Sequence, residues 1–381
     1  MSQLFNSFYY QAYSASLNER VNSLLTLLND KKRIISLQFF GASTEERYSE
    51  DLIEIKKVVD AIFIEQSPLV SYIIQPLYDT DAMAVEVYSI PENASPVSVD
   101  FKIHNDVRYA LYTHNNSTFL ITEGILGHSI YDSITTQASD IFDKIESILA
   151  YEQLDINYIV RQWNYIGHIT DTENGLQNYQ AFNDARSLFY KGAKWNHGYP
   201  AATGIGMECR GVVVSLIAMT NPIEGQIVPI NNPLQVPAFA YSESLLIGRQ
   251  TEMTTKATPK FERAKVIATE AGAVCFISGT AAIRGEMSMK EMSAGLQTTQ
   301  TIENILHLIS PQNLIRQGVT ATNANVKVSS LRVYIKHKED FDAVKAEVEK
   351  IWSQLPVIYL QAGICRKELL VEIEGIAMKF E

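Results

Sequence analysis

The order of secondary-structure patterns in this chain occurs twice, and that repetition limits the fold more than any composition figure does. From Ser133 a helical pattern, "SITTQASDIFDKIESILAYE", is followed by a strand "DINYIVRQWNYI" and an amphipathic helix "LQNYQAFNDARSLFY". A turn at Pro200, the short segment "AATGIGM" and a strand "GVVVSLIAM" complete the set. From Leu296 the same order returns as "LQTTQTIENILHLI", "NVKVSSLRVYI", "DFDAVKAEVEKIW", a turn at Pro356, "VIYLQAGICR" and "LLVEIEGIAM". β-rich stretches precede each set: "RIISLQFFGAS", "MAVEVYSI", "VSVDFKI" and "RYALYTHNNSTFLITEGI" in the first half, "VPAFAYSE" and "KVIATEAGAVCFISGTAAI" in the second.

Each half therefore predicts a mostly β layer with two helices on one face, an α+β fold of the two-layer α/β sandwich kind. The segment "NPIEGQIVPINNPLQVP", with Pro222, Pro229, Pro233 and Pro237 and little periodicity, separates the halves. The expected division is residues 1–220, a linker at 221–237, and residues 238–381.

The repeat supplies an internal comparison. Setting "IAM" at 217–219 against "IAM" at 376–378 places Val213 opposite Glu372 and Ser215 opposite Glu374. A face that merely met solvent would be polar in both copies, so the apolar Val213 points to a buried or cleft position. Alternate strand residues share a face, so Leu370, Glu372, Glu374 and Ile376 point one way and Val371, Ile373 and Ala377 point to the helices. By the same alternation, Ile358, Leu360, Ala362 and Ile364 are expected on the helix side, leaving Tyr359, Gln361, Gly363 and Cys365 with the glutamates. Two readings of the glutamates stay open on pattern: solvated strand residues, or one desolvated carboxyl that stays protonated and works as a general acid.

Composition narrows the partners. A net charge of −11 with no Lys/Arg cluster argues against nucleic acid. Three cysteines, Cys209, Cys275 and Cys365, have no metal-ligand spacing with one another or with the seven histidines. No cofactor and no metal is expected. No apolar run reaches transmembrane length, and the first twenty residues lack the basic-then-apolar layout of a secretory signal, so a cytoplasmic protein is expected, with no membrane partner. "ATGIGMECRG" lacks the third glycine of a dinucleotide fingerprint and reads as a tight turn.

The second half resembles the RidA superfamily through "AGAVCFISGTAAIRGE", "QTTQTIENI", "VSSLRVYIKHKEDFDAVKAEVEKIW" and "VEIEGIA". Both halves together resemble its chorismatase branch, in "QWNYIGHITDTENGLQNYQAFNDAR", "PAATGIGM" and "AGICRKELLVEIEG". The resemblance implies two RidA-like (chorismate-mutase-like) domains, the first degenerate and the second catalytic. It also implies an enzyme that cleaves the enol ether of chorismate to pyruvate and a hydroxybenzoate or a dihydroxycyclohexadiene carboxylate. It places the terminal-strand acid on Glu372. Substrate carboxylates are expected to be held by Arg263, in the family's Phe-x-Arg-Ala, with Arg332 or Arg366, because arginine matches a carboxylate bidentately; Tyr241 and Tyr359 are possible phenolic donors. Cys365 falls where hydroxybenzoate-forming relatives carry cysteine and diol-forming ones alanine, which favours a 3-hydroxybenzoate-type product. The neighbouring discriminating position falls on Thr280 or Ala281, and Ala281 would mix the two patterns. The resemblance also places His197 near the pocket.

Two departures keep other readings in view. The segment "YSESLLIGRQTEMTTKATPKFERA", which contains Arg249, is longer than its counterpart in chorismatases. A cleft filled by that insertion would favour a non-catalytic RidA-like binding or regulatory protein. Imine deaminases of the superfamily hold a carboxylate with an arginine where this chain has Ile358. RidA proteins are trimers, so either a homo-oligomer or a monomer with internal domain pairing is expected.

Overall fold

Strands buried along their whole length need cover on both faces, and here "IVRQWNYIG" (159–167) and "VVVSLIAM" (212–219) are buried at every residue. Helices cover one face of each sheet and another sheet covers the second. The computed structural model describes residues 4–28, 30–79, 81–173, 175–242, 257–270, 272–289 and 291–379.

The chain forms three sheets, each with its own helices. The first region runs β1 (Asn6–Tyr13), α1 (Leu17–Thr26), β2 (Ile34–Gly41), α2 (Tyr48–Ile62), β3 (Leu69–Ile74) and β4 (Ala82–Ser89). The second runs β5 (Val97–His104), β6 (Val107–His114), β7 (Ser117–Leu126), α3 (Ile134–Tyr151) and β8 (Ile159–Gly167), then a small ribbon of β9 (Thr172–Glu173) and β10 (Leu176–Gln177), then α4 (Asn178–Phe189), β11 (Ala201–Met207) and β12 (Val212–Met219). The third begins with β13 (Ile227–Ile230), β14 (Ala264–Thr269), β15 (Gly272–Ala281) and the ribbon β16 (Ile283–Arg284) and β17 (Met287–Ser288). It ends with α5 (Ala294–Leu308), α6 (Pro311–Arg316), β18 (Val326–Ile335), α7 (Phe341–Trp352), β19 (Val357–Gln361) and β20 (Val371–Lys379).

The two expected copies are present, and a third precedes them. Strand orders β3-β2-β4-β1, β11-β8-β12-β7 and β19-β18-β20-β15 have one plan. In each, two parallel strands flank a crossover helix, α2, α4 or α7. The helix that opens each copy starts on a serine, Ser16, Ser133 or Ser293, whose hydroxyl accepts the amide three residues on, the N-cap arrangement that satisfies an orphan donor. Register pairs Gln38 with Glu86, Trp163 with Ser215, and Arg332 with Glu374.

Several expectations are corrected here. "RIISLQFFGAS" and "MAVEVYSI" belong to the separate first sheet and not to the layer of residues 97–219. Within the expected linker, Ile227–Ile230 is β13, the edge strand of the third sheet, a place where Pro229 is tolerated. Over its described residues "VPAFAYSE" is no strand but one helical turn at Ala238–Ala240, entered from Pro237. The strand expected to run to Arg366 stops at Gln361, after which Gly363 packs on Gly206, whose amide donates to the Gly363 carbonyl at 2.8 Å. The faces of β19 are opposite to expectation. In its parallel ladder, Ile358 lies beside Arg332 and Leu360 beside Tyr334, so those two share the glutamate face. Tyr359 turns to the helix side, 5.5 Å from Phe341. Alternation misleads because Ile358 and Leu360 are fully buried and apolar, as helix-facing residues would be, although they pack on the side of the other sheets.

The three sheets meet on a buried polar network. Arg332 donates to Glu86 of the first sheet, to Glu374 at 3.2 Å and to the Tyr165 hydroxyl of the second sheet at 2.5 Å. Arg161 donates to Glu374 and to Thr203, and Tyr165 donates to Gln38 at 2.9 Å. Removing one partner of a buried ion pair strands the other charge. Glu86→Ala is expected to lower the unfolding free energy by about 3–5 kcal/mol, measured by urea denaturation. Glu303→Ala, which breaks the exposed pair with Arg284, is expected to change it by less than about 1 kcal/mol.

Candidate active site

Glu372 and Glu374 point from β20 to the same side, yet their surroundings differ. Glu374 faces the interior, where Arg161, Arg332, Thr203 and the Tyr334 hydroxyl (2.7 Å) all donate to it. Burial raises its pKa, but the two guanidiniums and these hydrogen bonds outweigh burial and hold the carboxyl below its ordinary value. Glu372 is 4% exposed. Burial, reinforced by the Glu374 charge, pushes its pKa up to about 8 against the weaker pull of Arg263 and Arg161. One strand thus carries an ionised carboxylate and, two residues earlier, a carboxyl that stays protonated at neutral pH.

Local backbone makes room for that carboxyl. The β15 ladder shifts register between Ile277 and Thr280, and a Cβ on Gly279 would collide with the Glu372 carboxyl. The same bulge joins the second and third sheets. Ser278 Oγ accepts the Ala202 amide at 2.9 Å and donates to the Glu262 carbonyl at 2.6 Å, while the Gly279 amide donates to Thr203 Oγ1 at 3.1 Å.

Glu372 forms part of the wall of a cleft at this junction, with Arg263, Cys365, Arg366, Ala281 and Tyr241 from the third region and Gln177, Tyr179 and Asn183 from the second. The cleft measures about 760 Å³ with the solvent at its open mouth included. Arg263 donates to the Val236 carbonyl at 2.8 Å and to the Tyr241 hydroxyl at 2.5 Å. The Tyr241 ring lies 5.6 Å from the Arg263 guanidinium and 5.1 Å from that of Arg366. Arg366 is anchored on the Glu286 carbonyl and Ser288 Oγ. Of the residues that line the cleft, two carry a buried donor with no partner among the described residues, Arg263 Nε and Gln177 Nε2. A buried donor left unpaired is costly, and a ligand oxygen in the cleft would satisfy both. Burial, then the neighbouring Glu372, pushes the Cys365 thiol up to about 12, so it remains a neutral thiol and no nucleophile.

The cleft thus brings together Glu372, Arg263, Cys365, Arg366 and Ala281. Of the two residues expected at the discriminating position, Ala281 faces the cleft opposite Glu372, whereas Thr280 pairs with helix-facing Ile373. Arg332 and Tyr359 are corrected. Arg332 is in register with Glu374 and lies behind the cleft in the buried network, and Tyr359 faces away. His197 offers its backbone carbonyl to Lys265 at 2.9 Å and does not line the cleft. Arg249 and the rest of 243–256 lie outside the described residues. Gln177, Tyr179 and Asn183 were not anticipated. Their signal was available as polar residues at 177, 180 and 183 in "LQNYQAFNDAR", one face of a helix start.

Comparison with known proteins follows the same division. The family model "Chorismatase FkbO/Hyg5-like, N-terminal" matches residues 97–218. A 3-hydroxybenzoate synthase of Streptomyces hygroscopicus is 32% identical over 234 residues, 60% of this chain and 65% of that protein, so this chain spans less than two thirds of that relative's length. A chorismatase of Streptomyces rapamycinicus is 31% identical over 244 residues, 62% of this chain and 67% of that protein. A crystal structure of a chorismatase superposes with a TM-score of 0.72 at 22% identity, covering 98% of this chain and 99% of the other, which shows a shared fold.

The raised carboxyl has a consequence for stability. Its folded pKa, about 8, exceeds an unfolded value near 4.3. Below pH ~4.3 both states are protonated, and as pH rises toward 8 the unfolded state gains by ionising, so the native state loses stability. Glu372→Gln is therefore expected to be more stable than the parent at pH 7.5, by roughly 2–4 kcal/mol, with the gap closing toward pH 5. Denaturant melts at the two pH values check this.

Proposed function

We propose that this chain, which belongs to the chorismatase family, cleaves the enol ether of chorismate and releases pyruvate. The observation that carries the reading is Glu372, a carboxyl protonated near neutral pH at the wall of a cleft that also holds two guanidiniums.

Enol ether hydrolysis begins with a proton on the terminal methylene carbon, and water near pH 7 is a poor donor for that step. Glu372 supplies the proton, a contribution on the order of 10²–10⁴ in rate. In one course, water adds to the oxocarbenium carbon and the adduct collapses to pyruvate and the diol. In the other, the ring carbon–oxygen bond breaks, pyruvate leaves with that oxygen, the neighbouring ring hydroxyl closes on the vacated carbon, and loss of a ring proton gives the hydroxybenzoate. Chorismate, C10H10O6, equals pyruvate plus hydroxybenzoate with no water taken up, and one water is consumed when the product is the dihydroxycyclohexadiene carboxylate. Product choice thus depends on whether water or the ring hydroxyl acts. Cys365, a half-buried neutral thiol in the cleft wall, restricts water there and favours 3-hydroxybenzoate, while the small Ala281 opposite Glu372 leaves room for a second product. Arg263 and Arg366 hold the substrate's carboxylates, with Gln177 as a further donor.

A deaminase reading finds Ile358 fully buried in the interior where an arginine would be needed. Among the described residues, no helix is long and apolar enough to cross a membrane. We place the enzyme in the cytoplasm, as a homo-oligomer or as a monomer with internal domain pairing, with residues 238–381 supplying Glu372 and the arginines and the preceding region supplying Gln177.

Wild type incubated with chorismate is expected to release pyruvate and an aromatic acid identifiable by chromatography, and Glu372→Gln to lose about 10² or more in kcat. Gln177→Ala is expected to raise KM more than it lowers kcat. Because the acid must be protonated, kcat/KM falls as pH rises through about 8. Cys365→Ala shifts product toward the diol. No pyruvate from folded protein rules the reading out.

A further inference from the structure

The three-copy plan predicts where other clefts belong, and one is open. The proposed active site lies where β11 and α4 of the second copy meet β15 and β20 of the third. Ala281 lies opposite Glu372, and Ala202 and Gly204 lie across the gap. Carried to the next junction by register, Gln11 lies opposite Ala84 as Ala281 does opposite Glu372. Val357 and Tyr359 on β19 take the places of Ala202 and Gly204 on β11, each set flanking the matched pairs Arg332–Ile358 and Trp163–Thr203. At that junction a second cleft of about 1,070 Å³, open mouth included, is lined by Gln11, Tyr13, Tyr78, Phe341, Lys345 and Tyr359 among others.

Its chemistry differs from that of the first. Ala84 stands at the register position that Glu372 holds in the third copy. Tyr78 stacks on Phe341 at 4.4 Å and Tyr359 meets Phe341 edge-on, with Trp352 and Tyr13 adding aromatic wall. One cation and two carboxylates, Lys345, Glu349 and Asp79, stand at the lining, and a second cation, Lys338, lies 5.2 Å from the Tyr78 ring. Lys345 and Glu349 pair loosely at 3.7 Å and are about half exposed, a contact worth little on its own. A simple aromatic acid would meet two carboxylates, and a simple aromatic amine would meet Lys345. We propose that this second cleft binds a small zwitterion with a planar ring, the chemistry of an aromatic α-amino acid. The ring lies on the Tyr78–Phe341 wall, the carboxylate at Lys345 and the ammonium at Asp79 and Glu349. The site does not depend on the reaction assigned to the first cleft.

Titration calorimetry of the full chain with L-phenylalanine, L-tyrosine and L-tryptophan tests this, with benzoate and phenethylamine as the single-charge probes. The expected result is saturable 1:1 binding of at least one amino acid, with a Kd in the millimolar range or tighter for a ligand of this size. Affinity should weaken about tenfold or more in Lys345→Glu or Tyr78→Ala, both exposed changes compatible with folding, and remain intact in Glu372→Gln. Absence of saturable heat for all three amino acids overturns the proposal. So does affinity lost in Arg263→Ala but not in Lys345→Glu, which assigns the binding to the first cleft, and so does equal binding of benzoate or phenethylamine.

Discussion

A guanidinium taken out of water must be compensated fully or not be there at all, and Arg332 is compensated by partners from three sheets. Glu86, Tyr165 and Glu374 reach it from β4, β8 and β20, so the position of each sheet is read by the others. The same contacts decide the chemistry. With Arg332 and Arg161 both committed to Glu374, that carboxylate stays ionised and its charge discourages ionisation of Glu372 two residues away. The raised pKa of Glu372 thus rests first on its burial and then on the ionised Glu374 that the same buried network holds in place.

This dependence also explains an apparent waste. A buried carboxyl with a raised pKa weakens the fold at working pH, and Glu372 sits beside the register shift at Gly279. Sites that carry chemistry commonly depart from what stability alone would select; the second copy has a register shift at the same place in its β7–β12 ladder but carries the apolar Val213 where Glu372 stands.

Much of the site was legible because the chain carries its own comparison: Val213 against Glu372 marks the position, and the copies share enough pattern to be set in register. Arg263, Cys365 and Arg366 followed from the resemblance. What alternation could not supply was the direction of β19. Ile358 and Leu360 look like a helix-facing core, and a second sheet provides an equally dry surface, so Tyr359 was placed on the wrong side. Arg332 was misassigned for a related reason, since only the ladder reveals that it lies beside Glu374 and not beside Glu372. The first copy was hidden because its residues share the order of elements with the other two but no motif. Gln177 carried a signal in the polar spacing of "LQNYQAFNDAR", but only the fold shows that this segment faces the third region's cleft residues.

Carrying three copies of one unit in a single polypeptide changes how the molecule can vary. In a ring of identical chains every amino-acid replacement appears three times, and a residue that helps one junction but harms another is lost. Here each junction has its own letters: glutamate, valine and alanine occupy one register position in the three copies. A single chain can thus hold a carboxyl at one junction, valine at another and alanine at a third beside a cleft lined by aromatic rings, a difference that identical chains cannot have.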